Sequence, residues 1–123
     1  AQALLEGQND AAADVQMNER FMAVLLAERG GAENRKQARS LLERLIETAR
    51  EVPAGDRLLL ARLYHEDRMP QAAREQFLAL VSGEKPVPGH VARYAEFLLD
   101  IGHAEEAGSW IVKLEAAAPA EWN

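Results

Sequence analysis

The sequence predicts an all-α protein of six helices, paired as three antiparallel hairpins stacked into a solenoid. Three observations predict it. Sliding the chain along itself by 34 residues superimposes Ala61 on Ala95, Tyr64 on Leu98, Ala73 on Ala107, Phe77 on Ile111 and Leu80 on Leu114, each pair keeping its size class. Every unit of that period carries two apolar patterns with helical spacing and none with the alternation of strands. Prolines and glycines fall at the boundaries between those patterns, where helices end.

Composition agrees with close-packed helices. The chain has 123 residues, 48% hydrophobic but only 6% aromatic, so its interior is aliphatic and rich in alanine. It has no cysteine, which removes disulfides, thiol catalysis and thiolate metal sites. A net charge of −6 leaves no basic surplus for phosphate backbones, so nucleic acid is not an expected partner. No apolar run approaches the roughly 18 residues needed to cross a bilayer, so no membrane insertion is expected. Residues 1–10 lack the basic and apolar regions of a signal peptide. With no initiator methionine, the chain reads as a piece of something longer.

The clearest unit runs from Pro53 to about Pro86. Asp56 reads as an N-cap ahead of Leu58, Leu59, Leu60, Leu63 and Tyr64, and a turn follows at Asp67, Arg68 and Met69. Pro70 opens the second helix, where its missing N–H costs nothing, and Ala73, Phe77, Leu80 and Val81 give it one apolar stripe. Gly83 and Pro86 close the unit.

The next unit repeats this plan. Pro86 and Pro88 stop the preceding helix; Val91, Tyr94, Ala95, Phe97 and Leu98 form a first helix; Gly102 turns the chain. A second helix over His103–Ala118 carries Ala107, Trp110, Ile111 and Leu114, with Pro119 behind it. An earlier unit matches through Ala23, Leu26 and Gly30, then Ala38, Leu42 and Leu45. It holds three more residues between Gly30 and Ala38 than the last unit holds between Gly102 and Ala107. That surplus lies in Gly31-Ala32-Glu33-Asn34, which reads as an extended turn. Residues 1–12 read as an N-terminal arm or the end of a preceding helix, with Gly7 to Asp10 as a connector.

In these registers the chain resembles the tetratricopeptide repeat family over Val15 to Pro119. The middle repeat reads Leu60-Ala61, Tyr64, Ala73, Phe77; the last reads Tyr94-Ala95, Leu98, Gly102, Ala107, Ile111, Pro119. Arg68 replaces the turn glycine of the middle repeat, and no tryptophan opens a first helix. The resemblance implies a right-handed α-solenoid of three antiparallel helix hairpins (six helices), with repeats at about 15–52, 53–86 and 87–119 within a domain of residues 13–123. Physically, Ala23, Ala61 and Ala95, with Ala38, Ala73 and Ala107, let helices approach closely while bulky neighbours fill the remainder. A lone hairpin leaves an apolar face uncovered, so hairpins stack.

Little in the chain suggests chemistry. His65-Glu66-Asp67 resembles a metal or acid–base cluster, but successive helical residues point about 100° apart and do not converge. His90 and His103 read as surface or cap residues. Ser40, Ser82 and Ser109 lack the setting of a nucleophile, and no glycine loop is built for phosphate. The expectation is therefore no catalytic residue, no cofactor and no metal. Arg35, Lys36, Arg39, Glu43, Arg44 and Glu47 read as a solvated face with i,i+4 support, and Glu105 and Glu106 as complements to a helix dipole.

The function the resemblance implies is a non-catalytic protein-interaction scaffold that binds a peptide or protein along a concave groove lined by the first helices. The inward positions would be Arg20, Val24, Ala27 and Glu28, then Leu58, Arg62, His65 and Glu66, then Ala92, Glu96, Leu99 and Asp100. The family's best-known mode clamps a peptide carboxylate with lysines and asparagines at such positions. Val24 and Ala27 stand in place of the asparagines, and Glu96 and Asp100 would repel a carboxylate, so the expected partner carries basic or mixed charge. Three other readings stay open. These charges could simply solubilise the surface. The chain could be a homo-oligomerisation module, self-associating through terminal repeats where Trp110, Val112 and Trp122 leave apolar surface exposed. It could also be an accessory or regulatory segment of an enzyme.

Overall fold

In a computed structural model of the chain, the structure describes residues 2–117, with side chains described for 13–116. Among these residues are six helices and no strand: α1 (Gln2–Arg29), α2 (Ala32–Thr48), α3 (Ala54–Glu66), α4 (Pro70–Val81), α5 (Pro88–Asp100) and α6 (Ala104–Ala117). Pro119 and Trp122 lie outside the described residues. None of these helices is long and apolar enough to cross a membrane.

Two compact units divide the chain between Met69 and Pro70. In the first, α1 packs on α2, α2 on α3, and α1 reaches α3. Its buried side chains are Ala23, Leu26, Ala38, Leu42, Leu45, Leu60, Ala61, Leu63 and Tyr64. In the second, α4 packs on α5 and α5 on α6. Its core holds Ala73, Phe77, Val81, Val91, Tyr94, Ala95, Phe97, Leu98, Ala107 and Leu114. All six alanines expected at close helix approaches are therefore buried. Phe77, Tyr94 and Phe97 form an aromatic cluster with ring centroids 5.1–6.3 Å apart, and Trp110 meets Tyr94 edge-on at 5.6 Å. Each such pair adds about 0.5–1.5 kcal/mol to the burial itself.

The repeat is written into the backbone as well. At the end of α3, Met69 N–H donates to Tyr64 O (2.8 Å) and Arg68 N–H to His65 O (3.1 Å). Thirty-four residues on, His103 N–H donates to Leu98 O (2.7 Å) and Gly102 N–H to Leu99 O (3.1 Å). Both are the paired 6→1 and 5→2 bonds of a Schellman cap, centred on left-handed residues: Arg68 at φ 59° and Gly102 at φ 85°. The α1–α2 turn differs. Gly30 N–H donates to Leu26 O (3.2 Å), the simpler left-handed cap, and Gly30 and Gly31 both have positive φ.

Four local expectations are corrected. Gly31-Ala32-Glu33-Asn34 is not an extended turn: the turn is only Gly30-Gly31, and the surplus residues add a turn to the start of α2. Ala38 is the seventh residue of α2, whereas Ala73 and Ala107 are the fourth of α4 and α6. Arg35 N–H bonds to Gly31 O, and the Asn34 side chain donates to Gly30 O. Residues 7–10 are no connector, because α1 runs through them without a break; the intrahelical bonds outweigh the modest cost of one glycine. Asp56 is not the N-cap of α3. Pro53 holds that place, and Asp56 lies buried in the first turn. Ile111, matched in register to Phe77 and Leu42, is 39% exposed. α2 and α5 are covered by helices on two sides, but among the described residues no helix follows α6 to cover that flank.

Candidate interaction surface

The expected partner-binding positions fall on α1, α3 and α5, and packing treats them differently in the two units. On α1, Arg20 reaches α3: Nε lies 2.8 Å from Asp56 Oδ1 and Nη2 2.9 Å from Oδ2. Asp56 has 5% of its side chain exposed and Arg20 36%. The bidentate bond raises the guanidinium pKa above its ordinary value. Arg20 thus serves the α1–α3 contact before it can serve a ligand. Val24 and Glu28 are exposed and Ala27 is half-buried. On α3, Arg62 and Glu66 pair with each other across one turn at 3.5 Å, while Leu58 and His65 are half-buried.

On α5 the division is sharper. Val91, Tyr94, Ala95, Phe97 and Leu98 are buried, while Ala92, Glu96, Leu99 and Asp100 are exposed. Their spacing (i, i+4, i+7, i+8) puts those four on one face. Leu99, 54% exposed, lies at the edge of that face beside Glu96, with Asp100 about 100° further round the helix. Arg20, Arg62 and Glu66 of the first unit are thus engaged in ion pairs, and Glu96, Leu99 and Asp100 lie exposed on one face of α5.

Several charges that read as solvated are structural. Arg35 and Arg39 of α2 both reach Asp67 behind α3, at 2.5 and 3.0 Å, with only 24% and 18% of their side chains exposed. Arg39 also lies 5.9 Å from the Tyr64 ring centroid and 3.3 Å from Met69 Sδ. Tyr64 O–H donates to Glu43 Oε1 at 2.9 Å, and Arg44 pairs with Glu19 of α1. This clasp tethers the Arg68 turn to α2. In the His65-Glu66-Asp67 stretch, Glu66 turns to Arg62 and Asp67 to α2.

Glu106 is likewise more than a helix-dipole complement. It accepts two bonds from Arg74 Nη2 (2.9 and 2.7 Å) and one from Tyr94 O–H (3.2 Å), joining α4, α5 and α6. Those bonds, Arg74's first, hold its carboxyl below the usual carboxylate range. Burial pushes the Tyr94 hydroxyl up to about 12.

Sequence reasoning missed these clasps because their partners lie 12 to 36 residues apart. It also missed Met17 and Phe21 of α1, exposed at 64% and 65%. Their spacing with Val24 was the available signal. No protein-family model, curated protein or solved structure matches the chain.

Proposed function

We propose that the protein is a non-catalytic interaction scaffold, a helical-hairpin repeat of the tetratricopeptide type that binds a basic segment of a partner protein. The observation that carries this reading is the α5 face: Leu99 half open to solvent on the same side as exposed Glu96 and Asp100, on a helix whose other side is buried. An apolar anchor flanked on one side by like charges suits a segment with one bulky apolar side chain and cationic neighbours. The acids set the association rate and its salt dependence, and the leucine supplies contact area. The net charge of −6 favours the same class of partner over long range.

A photo-crosslinking side chain at position 99 tests it, with one at the exposed Glu75 of α4 as the control. Position 99 is expected to trap a discrete partner that position 75 does not; equal labelling from both would remove α5 as the site. A second reading, self-association through α6, draws on Val112 at 64% exposure beside Ile111 at 39%. Sedimentation over a concentration series separates them, since that reading requires a dimer that Val112→Lys abolishes.

A further inference from the structure

The second half of α1 is apolar on two faces. One buries Ala23 and Leu26. Across the helix, Met17, Phe21 and Val24 are 64%, 65% and 37% exposed, and their i, i+4, i+7 spacing aligns them in a single stripe. Exposed apolar side chains scattered singly are ordinary on a folded protein; three in register, with Phe21 at the centre, form a continuous patch. Met17 gives the patch an adaptable end, because the unbranched thioether repacks around varied partners.

The charges at its ends identify the occupant. Asp14, three residues before Met17, and Glu28, four after Val24, continue the same line and are both exposed. At 1.5 Å per residue they stand roughly 21 Å apart along the axis. The neighbouring cation Arg20 is committed to Asp56. Arg29 follows Glu28 but projects about 100° further around the helix. A second copy of α1 fits poorly. A parallel copy sets Asp14 against Asp14 and Glu28 against Glu28, and an antiparallel copy centred on Phe21 sets Asp14 against Glu28. Both orientations put like charges at each end of the seam.

We infer that this stripe docks an amphipathic helix of a partner protein, with apolar side chains at i, i+3 or i+4, and i+7 and basic residues about one turn beyond each end. The partner's apolar row packs along Met17, Phe21 and Val24, and its cations meet Asp14 and Glu28. This is helix-on-helix recognition with charge setting the orientation. The stripe lies on α1, not on α5, and the proposal stands whether or not the α5 face binds anything.

The test titrates the chain into two labelled synthetic helical peptides by fluorescence anisotropy. Both carry leucines in the apolar row; one has arginines at both ends and the other glutamates. The basic peptide is expected to bind at least about tenfold more tightly at low salt, a preference lost in Asp14→Lys/Glu28→Lys, and Phe21→Ser is expected to weaken it by about tenfold or more. Glu96→Lys/Asp100→Lys should leave this binding in place, which separates the proposal from the reading of α5. Circular dichroism checks that Phe21→Ser is folded, with Met17→Ser as the second variant. Failure of the basic peptide to bind, equal affinity for both peptides, or indifference to both apolar variants overturns the proposal. So does a sedimentation dimer that Phe21→Ser abolishes, because the occupant would then be a second copy.

Discussion

Arg68 occupies, at φ 59°, the turn position that Gly102 fills at φ 85° 34 residues later. A side chain in the left-handed region costs roughly 1–2 kcal/mol, part of which glycine gives back through its freer unfolded chain. Arg68→Gly is therefore expected to stabilise the protein by about 0.5–1 kcal/mol in urea denaturation. Gly102→Ala is expected to destabilise it by about 1 kcal/mol. A Cβ there meets nothing within 4 Å, so the whole cost is backbone. A destabilising Arg68→Gly would mean the arginine side chain holds the turn. The two arginines of the expected surface should also part company. Arg20→Ala strands a buried carboxylate and should cost about 1–3 kcal/mol, whereas Arg62→Ala breaks an exposed pair and should cost about 0.5 kcal/mol or less. Equal losses would contradict the assignment of Arg20 to the α1–α3 contact.

Between helices, the small residues and the polar clasps make separable predictions. Ala73 and Ala107 are 0% and 1% exposed, so Ala73→Leu and Ala107→Leu should each destabilise by about 1–3 kcal/mol through overpacking, while Glu75→Ala on an exposed position changes little. The Arg74–Glu106–Tyr94 clasp predicts pH dependence on both sides of neutrality. The Tyr94 hydroxyl titrates at about 12 in the fold against an ordinary 10.0. A raised value means that its stabilisation is complete below 10 and lost as the pH climbs towards 12. Glu106 is lowered from 4.5, so its stabilisation is present above that value and lost as the pH falls through the depressed one. Denaturation midpoints against pH should show Tyr94→Phe flattening the alkaline limb and Glu106→Gln the acid limb. Variants with limbs as steep as the wild type would assign the slopes to other groups.

At the scale of the molecule, what was legible from the sequence and what was not divides on physical lines. Six helices and six buried alanines could be read because helix periodicity and residue size are local properties that repeat. The start of α2 could not: Gly31 to Asn34 carry loop propensity, yet Ala32 onward gains intrahelical bonds by joining the helix. Arg35 and Arg39 read as solvated, and Glu106 as a helix-dipole complement, because their partners are chosen by packing across tens of residues. For the candidate surface, sequence offsets located Glu96, Leu99 and Asp100 on one exposed face but could not reveal that Arg20 is already engaged. Binding of a basic partner by the acidic, leucine-bearing face of α5 is read most directly from the salt dependence of a captured partner's affinity. Reversing Glu96 and Asp100 together to lysine should weaken binding most at low salt and flatten its dependence on salt, with the helical circular dichroism unchanged. If affinity and salt dependence are the same for the reversed and wild-type proteins, α5 is not the binding face.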